Sequence, residues 1–476
     1  MSSRLRRTLL QSAALLPALP LLRATAASAP GSRSPLPMRE VQASAPFDMP
    51  PIRVPDFADA PRFDIRRYGA ATGDKAATTK AIAAAISAAN AAGGGRVIVP
   101  GGTWLTGAVH LKSNVGLHVE EGGVLLFSGQ PEDYLPAVIT SWEGIECYNY
   151  SPLVYALDCD NVALTGKGTL KAELDVWRLW YARPKPHMEA LVALYQHAVH
   201  NVPLSQRQMA QGEAHLRPQF VQFNRCRNVL IEDITIRDSP FWTVHPYMCQ
   251  DVVIRRVDIR AHGHNNDGVD PEMSQNVLIE DCIFDQGDDA ISVKSGREFD
   301  GWRLASPAKN IVIRNCRIKN GHQLLAIGSE LSGGVENILV ENCHFDRGDA
   351  DGPVKGTTLV EINNILYVKT NERRGGYVRN IHMRNVTATS IAGGPLCVET
   401  DVLYQWRNLV PTYERRLTPI DGLYVSDVRV AEARFVCRIQ GDAGLPVRNV
   451  TLQGVKVGKV RDQAFNVSNV EGLVNT

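Results

Sequence analysis

A repeat dominates this chain and constrains its fold more than any other feature. The unit reads Asn or Asp, then Val or Ile, any residue, a branched apolar residue, two polar residues, and a second short apolar segment. Copies begin at Asn161, Asn228, Asp251, Asn276, Asn310, Asn337, Asn380 and Asn449, with a weaker one at Gly422. From Asn228 to Asn337 the spacings are 23, 25, 34 and 27 residues, and the longer ones carry insertions such as 297–309. Each unit holds short strands and sharp polar bends but no helix. Strands this short with period-two alternation cannot bury both faces alone. Stacking lets each strand pair with its equivalent one unit on, about 4.8 Å away. We therefore expect an all-β fold, a right-handed parallel β-helix (solenoid). Asn at a fixed bend suits left-handed backbone geometry, and stacked Asn side chains can bond along the column.

The rest of the chain divides around this repeat. Arg4, Arg6 and Arg7, an apolar run from Leu9 to Leu22 and the small residues 24–29 have the layout of an export signal. Arg6-Arg7-Thr8-Leu9-Leu10 resembles a twin-arginine signal. We read 1–29 as an export signal peptide and place the mature protein in the periplasm or outside the cell. The apolar run is shorter than a membrane span, which needs roughly 18 residues. Residues 30–60, rich in Pro, Ala and Ser, read as a linker or loosely attached arm. Residues 61–476 read as a single parallel β-helix domain, the one that carries the polar residues considered below as catalytic. It opens with an N-terminal cap containing a short helix at 78–92, stopped by Gly93-Gly94-Gly95.

Composition excludes several classes. With 44% hydrophobic and 21% charged residues the chain is not disordered. Its 51 basic and 50 acidic residues form no like-charge blocks, which argues against nucleic-acid binding. There are nine cysteines, without zinc-type spacing. Cys282, Cys316 and Cys343 each follow their unit's Asn by six residues; Cys226 and Cys249 precede theirs by two. Same-register residues stack, so we expect buried free thiols in ladders rather than disulfides.

Polar residues concentrate in three neighbouring units: Asn265-Asn266-Asp267-Gly268-Val269-Asp270-Pro271, Gly287-Asp288-Asp289 and Gly321-His322-Gln323. Asp288 lies 12 residues after Asn276 and His322 lies 12 after Asn310, so the two should stack. Asp267 precedes Asp288 by 21 residues, about one unit. Three carboxylates and an imidazole then converge on one face. Like charges so close raise at least one carboxyl pKa, the split that glycoside hydrolysis needs. Ordinary turn chemistry is the alternative reading of each single aspartate. Asp349, after Gly348 at the same offset, would extend the column or serve a turn.

These segments, followed by Val368-Lys369-Thr370, resemble in order the signature segments of glycoside hydrolase family 28, the polygalacturonase-like pectin hydrolases. Lesser matches are Ser239-Pro240-Phe241-Trp242 with His245, and Lys294-Ser295-Gly296. The resemblance runs from about Phe63 to the C-terminus. It implies an inverting hydrolase of α-1,4-galacturonosidic linkages, with a pectic oligo- or polysaccharide as substrate and no metal or cofactor. Asp288 would be the general acid. Asp267 and Asp289 would activate water, and His322 would tune the acid. Lys369 would pair with a substrate carboxylate, and Asn265, Gln323, Tyr367 and Arg217 would line the substrate site. The family's arginine two residues before the lysine is here Tyr367, and its second glycine after His322 is Gln323. Arg373 or Arg374 could replace the former, or Tyr367 could stack on a sugar. The insertion 175–218, with Trp177, Trp180, Tyr181, His187 and Arg217, reads as a loop that closes the cleft for exo cleavage or merely covers the flank. Competing classes are a calcium-dependent pectate lyase and a non-catalytic β-helical carbohydrate binder. We expect a monomer, bound neither to nucleic acid nor to membrane.

Overall fold

A computed structural model describes residues 36–212, 214–347, 362–402 and 414–476. The proposed signal at 1–29 and Asp349 lie outside the described residues. The rest forms a parallel β-helix in which strands of successive units pair in register through one sheet of 22 strands and a six-stranded sheet. Val162, Val229, Val252, Val277, Ile311, Ile338, Ile381, Leu423, Val450 and Leu473 form one continuous column. All point into the core except that Leu473, on the last coil, is only half buried.

Two features hold the register. The first is the bend. Asn161, Asn228, Asp251, Asn276, Asn310, Asn337, Asn380 and Asn449 all have φ between 55° and 60°, where a short polar side chain is tolerated. Their side chains bond from coil to coil: Asn276 to Asp251 at 2.9 Å, Asn310 to Asn276 at 3.2 Å, Asn337 to Asn310 at 2.9 Å, Asn380 to Asn337 at 2.7 Å. The second feature is the thiol ladders. All nine cysteines are free and buried. Cys159 joins Cys226 and Cys249 in one column, and Cys282, Cys316 and Cys343 form another.

Helix α1 (Lys75–Ala91) is the expected cap. Asp74 accepts from Ala77 N–H at its N-terminus, and Ile82, Ala85, Ile86 and Ala89 close the end of the core. Residues 36–60 differ from the composition-based expectation of a linker. Met38–Val41 and Ile52–Pro55 pair as an antiparallel hairpin. Ile52, Val54 and Phe57 bury themselves on an outward-facing apolar column of Ala163, Leu230, Val253, Leu278, Val312 and Leu339. Arg39 adds an ion pair to Glu232 at 2.6 Å. The arm is thus part of the folded body: six successive units carry an apolar residue where an outward strand position is normally polar, and that surface needs a cover.

The insertion 175–218 is helical rather than a loop, with α2 (Asp175–Tyr181) and α3 (Lys185–Val199). Trp177 and Trp180 belong to the main core, and Leu191, Leu194 and Tyr195 of α3 pack on Trp142 and Ile145. These aromatic residues cover the flank. A fourth helix, α4 (Glu298–Leu304), fills the insertion after Asn276.

Ile52 is fully buried. Replacing Ile52 with Ala should lower stability by about 2–5 kcal/mol, read as a shifted denaturant midpoint. An unchanged midpoint would mean the arm is not bound in solution.

Candidate active site

The polar cluster sits where the four-stranded sheet ending at Val244–Tyr247 gives way to the six-stranded sheet starting at Ile291–Val293. Single bridges Val244–Val269–Ile291 join the two. This register is offset by 22 residues, so Asp267 stacks on Asp289 and not on Asp288 as the count of 21 suggested. Main-chain bonds agree: Thr243 N–H donates to Asp267 O at 2.9 Å and Gly268 N–H to Asp289 O at 3.0 Å. Gly268 is needed here, since a Cβ would lie 2.4 Å from Ala290 O. Asn266, fully buried, ties the turn down by donating to the carbonyls of Ser239 and Phe241 at 2.9 and 3.0 Å.

The expected stacking of Asp288 and His322 is present. His322 Nδ1 lies 3.1 Å from Asp288 Oδ1, which also accepts from Asp289 N–H at 3.0 Å. Lys369 Nζ donates to Asp289 Oδ2 at 2.9 Å. Asp267, Asp288, Asp289, His322 and Lys369 all line one cavity of about 390 Å³, together with Asn265, Gln323 and Tyr367. The cavity wall also includes Glu143, Arg183, His264, Lys294, Arg297 and Glu330.

Electrostatics separate the carboxylates. Burial alone would raise Asp288, but the hydrogen bond and positive charge of His322 outweigh it and hold the carboxyl below its usual range. In return, Asp288 overcomes the burial of His322 and raises the imidazole to about 9. The pair therefore carries one proton at neutral pH. Asp267 is pushed up to about 8 by burial and by the charge of Asp288. Asp270, fully buried, is likewise raised well above its usual range, by burial and by Asp267. The buried ammonium of Lys294 balances this pair, at 3.6 Å from Asp267, 3.5 Å from Asp270 and 3.5 Å from Glu330. Arg297 in turn bridges Glu330 at 2.5 Å and Glu143 at 3.1 Å. A shell of alternating charge thus lies behind the three aspartates.

Several sequence expectations change. Arg217 does not face the cavity. It is fully buried, donating to the carbonyls of Pro240 and His264 at 2.8 and 2.6 Å and to Asn265 Oδ1 at 3.1 Å. Its role is to hold Asn265, which has φ of 60°. His187 is buried against His215 O and does not line the cavity. Tyr367 donates to Glu399 at 2.5 Å. Arg374 is committed to Glu298 at 2.6 Å, and Arg373 lines a separate groove with Glu372 and Asp442, so neither supplies the missing guanidinium. Gln323 accepts from Asn364 N–H at 3.0 Å. Sequence reasoning did not assign Asp270, Glu330, Arg297 or Glu143. Asp270 lay inside a motif already singled out. Its partner Lys294 lies 24 residues on in a different segment, and no repeat spacing links the two.

Among the described residues, Asp288, Asp289 and His322 also offer three donor atoms within 4.8 Å of one another. Lys369 on Asp289 and the imidazolium of His322 already supply positive charge there.

Known proteins resemble this chain in both sequence and fold. The probable polygalacturonase of Vitis vinifera is 25% identical over 395 residues, covering 80% of this chain and 71% of the relative. The exo-poly-alpha-D-galacturonosidase of Dickeya chrysanthemi is 28% identical, covering 60% and 50%. The crystal structure of a hyperthermoactive exopolygalacturonase from Thermotoga maritima superposes with a TM-score of 0.79 at 34% identity, covering 89% of this chain and 94% of that one. The family profile described as glycosyl hydrolases family 28 matches residues 205–476, more than half of the sequence and all of the cavity's aspartates. On this match, and on the coils that carry it, the chain belongs to glycosyl hydrolase family 28.

Proposed function

We propose that this hydrolase removes residues from the end of a pectic chain by cleaving α-1,4-galacturonosidic linkages with inversion. The observation that carries the mechanism is the Asp288–His322 pair, which holds a proton beside Asp267 and Asp289 in one cavity. The pair delivers its proton through Asp288 to the glycosidic oxygen, and His322 keeps that proton available at neutral pH. Water attacks the anomeric carbon from the side of Asp267 and Asp289. Asp267, which the Lys294 ammonium faces at 3.6 Å, accepts the proton from water once it has ionised. Lys369 neutralises Asp289 and a substrate carboxylate.

The exo mode is supported by how the cavity is walled on the side of the earlier coils. Glu143, on the hairpin formed by Val138–Trp142 and Ile145–Asn149, and Arg183, between α2 and α3, both line it. The basic and apolar start of the sequence supports export to the periplasm or beyond. No helix among the described residues is long and apolar enough to cross a membrane.

Chromatography and NMR of products from galacturonan oligomers test this reading. Single galacturonate units with inverted anomeric configuration are expected at the earliest times. Random mid-chain products would overturn the exo mode. An unsaturated product, or loss of turnover with a chelator, would mark a lyase. Asp288→Asn and Asp267→Asn should each lower kcat by about 100- to 10,000-fold while the circular dichroism spectrum is unchanged; near-native turnover in either removes its role.

The pH dependence follows from the same pair. Folding favours the charged imidazolium, so its stabilisation is full below the ordinary His value of 6.5 and is lost as pH rises through about 9. Asp267 must lose its proton before it can accept one from water, so kcat/KM should rise through about pH 8; the proton for the leaving group disappears as His322 titrates, so kcat/KM should then fall through about pH 9. Without the imidazolium, Asp288 must hold the proton alone, so His322→Gln should move that limb to lower pH. An unmoved limb would assign it to another group.

A further inference from the structure

Four cationic side chains of Lys or Arg line the cavity, and three already have anionic partners. Lys294 faces Asp267, Asp270 and Glu330, Arg297 faces Glu330 and Glu143, and Lys369 holds Asp289. The fourth, Arg183, has no side-chain hydrogen bond or ion pair among the described residues, and its Nε is enclosed without a partner. Its surroundings add positive charge. Arg217 nearby bonds only to carbonyl oxygens of the main chain and of Asn265. His264, on the same wall, is depressed to about 3 by burial and by the charges of Arg183 and Arg217, so it stays neutral. The one carboxylate on this wall, Glu143, is taken by Arg297 at 3.1 Å, which leaves the Arg183 guanidinium without an anionic partner among the described residues.

The position is fixed. Arg183 sits between α2 and α3 with φ of 50°, its N–H donating to Trp180 O at 3.1 Å, and Pro184 follows it. Tyr181, two residues earlier, donates to Ser239 O at 2.7 Å. Asn266 bonds the same carbonyl. The insertion is therefore anchored to the turn that carries Asp267. Along the coil axis, Asp288 and Asp289 stand between this wall and the later coils with Tyr367 and Lys369.

We propose that Arg183 is the residue that selects a uronate over a neutral hexose on the early-coil side of the scissile bond, by binding its carboxylate with a two-pronged guanidinium contact. The inference rests on the hydrolase reading above and adds the residue that sets its substrate class. Tyr367 and Lys369 leave the late-coil side with a single ammonium. Arg183 places the planar fork, which matches a carboxylate bidentately, on the opposite side. A neutral galactoside would leave the enclosed Nε of this guanidinium unpaired, which disfavours it.

The test uses the full chain and its Arg183→Gln and Arg183→Lys variants with trigalacturonate. For Arg183→Gln we expect kcat/KM to fall roughly 10- to 100-fold, carried mainly by KM, with the thermal midpoint unchanged. Arg183→Lys should recover part of the loss, because it restores charge without the fork. Inhibition by free galacturonate should weaken about tenfold in Arg183→Gln, whereas weak inhibition by galactose should be the same in both proteins. Native KM and native galacturonate inhibition in Arg183→Gln would overturn the proposal and leave the hydrolase reading intact. If the wild-type chain does not hydrolyse galacturonans, the hydrolase reading fails. Calorimetric binding of galacturonate to the wild type and not to Arg183→Gln would then still support this site, and equal binding would refute it.

Discussion

Vertical registration between coils is the constraint on which everything else depends. A β-helix places residues far apart in sequence at one height only if every coil keeps its phase. Here the phase is set by main-chain pairing and by the side-chain ladder at the left-handed bend, where Asn310 bonds Asn276 and Asn337 bonds Asn310. Insertions such as α2–α3 and α4 leave between bends and return without shifting it. Asp267, Asp288, His322 and Lys369 meet because four coils keep count, and no side-chain contact among them could repair a slipped coil.

The charges behind the cavity solve a second problem. Three aspartates side by side would repel, and burial would neutralise them. Lys294, Arg297 and Lys369 interleave with Asp267, Asp270, Glu330, Glu143 and Asp289 so that charge alternates. His322 takes Asp288 out of that set and makes it half of a proton-carrying pair. One lattice of ions thus produces two carboxyl environments a coil apart, one pushed down and one pushed up.

Much of this was legible in the sequence because the repeat is a ruler. Counting from each Asn gave the fold, the thiol columns and the Asp288–His322 contact. The ruler failed where strands are interrupted. Between Asp267 and the Asp288-Asp289 pair the register is 22, and a count from neither bend reveals it. The arm at 36–60 was missed for a different reason. The repeat position after Val or Ile tolerates any residue, yet it is Ala163, Leu230, Val253, Leu278, Val312 and Leu339 in six units and His382, Tyr424 and Thr451 in three later ones. That change from apolar to polar marks how far a covering segment extends. Arg217 was misplaced because an arginine in an aromatic insertion says nothing about which way it faces, and its carbonyl partners come from two other coils.

Solenoids hold together mostly through adjacent layers, so they can come apart one layer at a time from either end. The outer hairpin changes that arithmetic. It lies across layers from Ala163 to Leu339, and Phe47 reaches the ring of His382. A middle layer cannot loosen without releasing a segment that also grips its second and third neighbours. Longitudinal lashing of this kind couples distant layers and favours a single concerted melting of the central stack over progressive peeling.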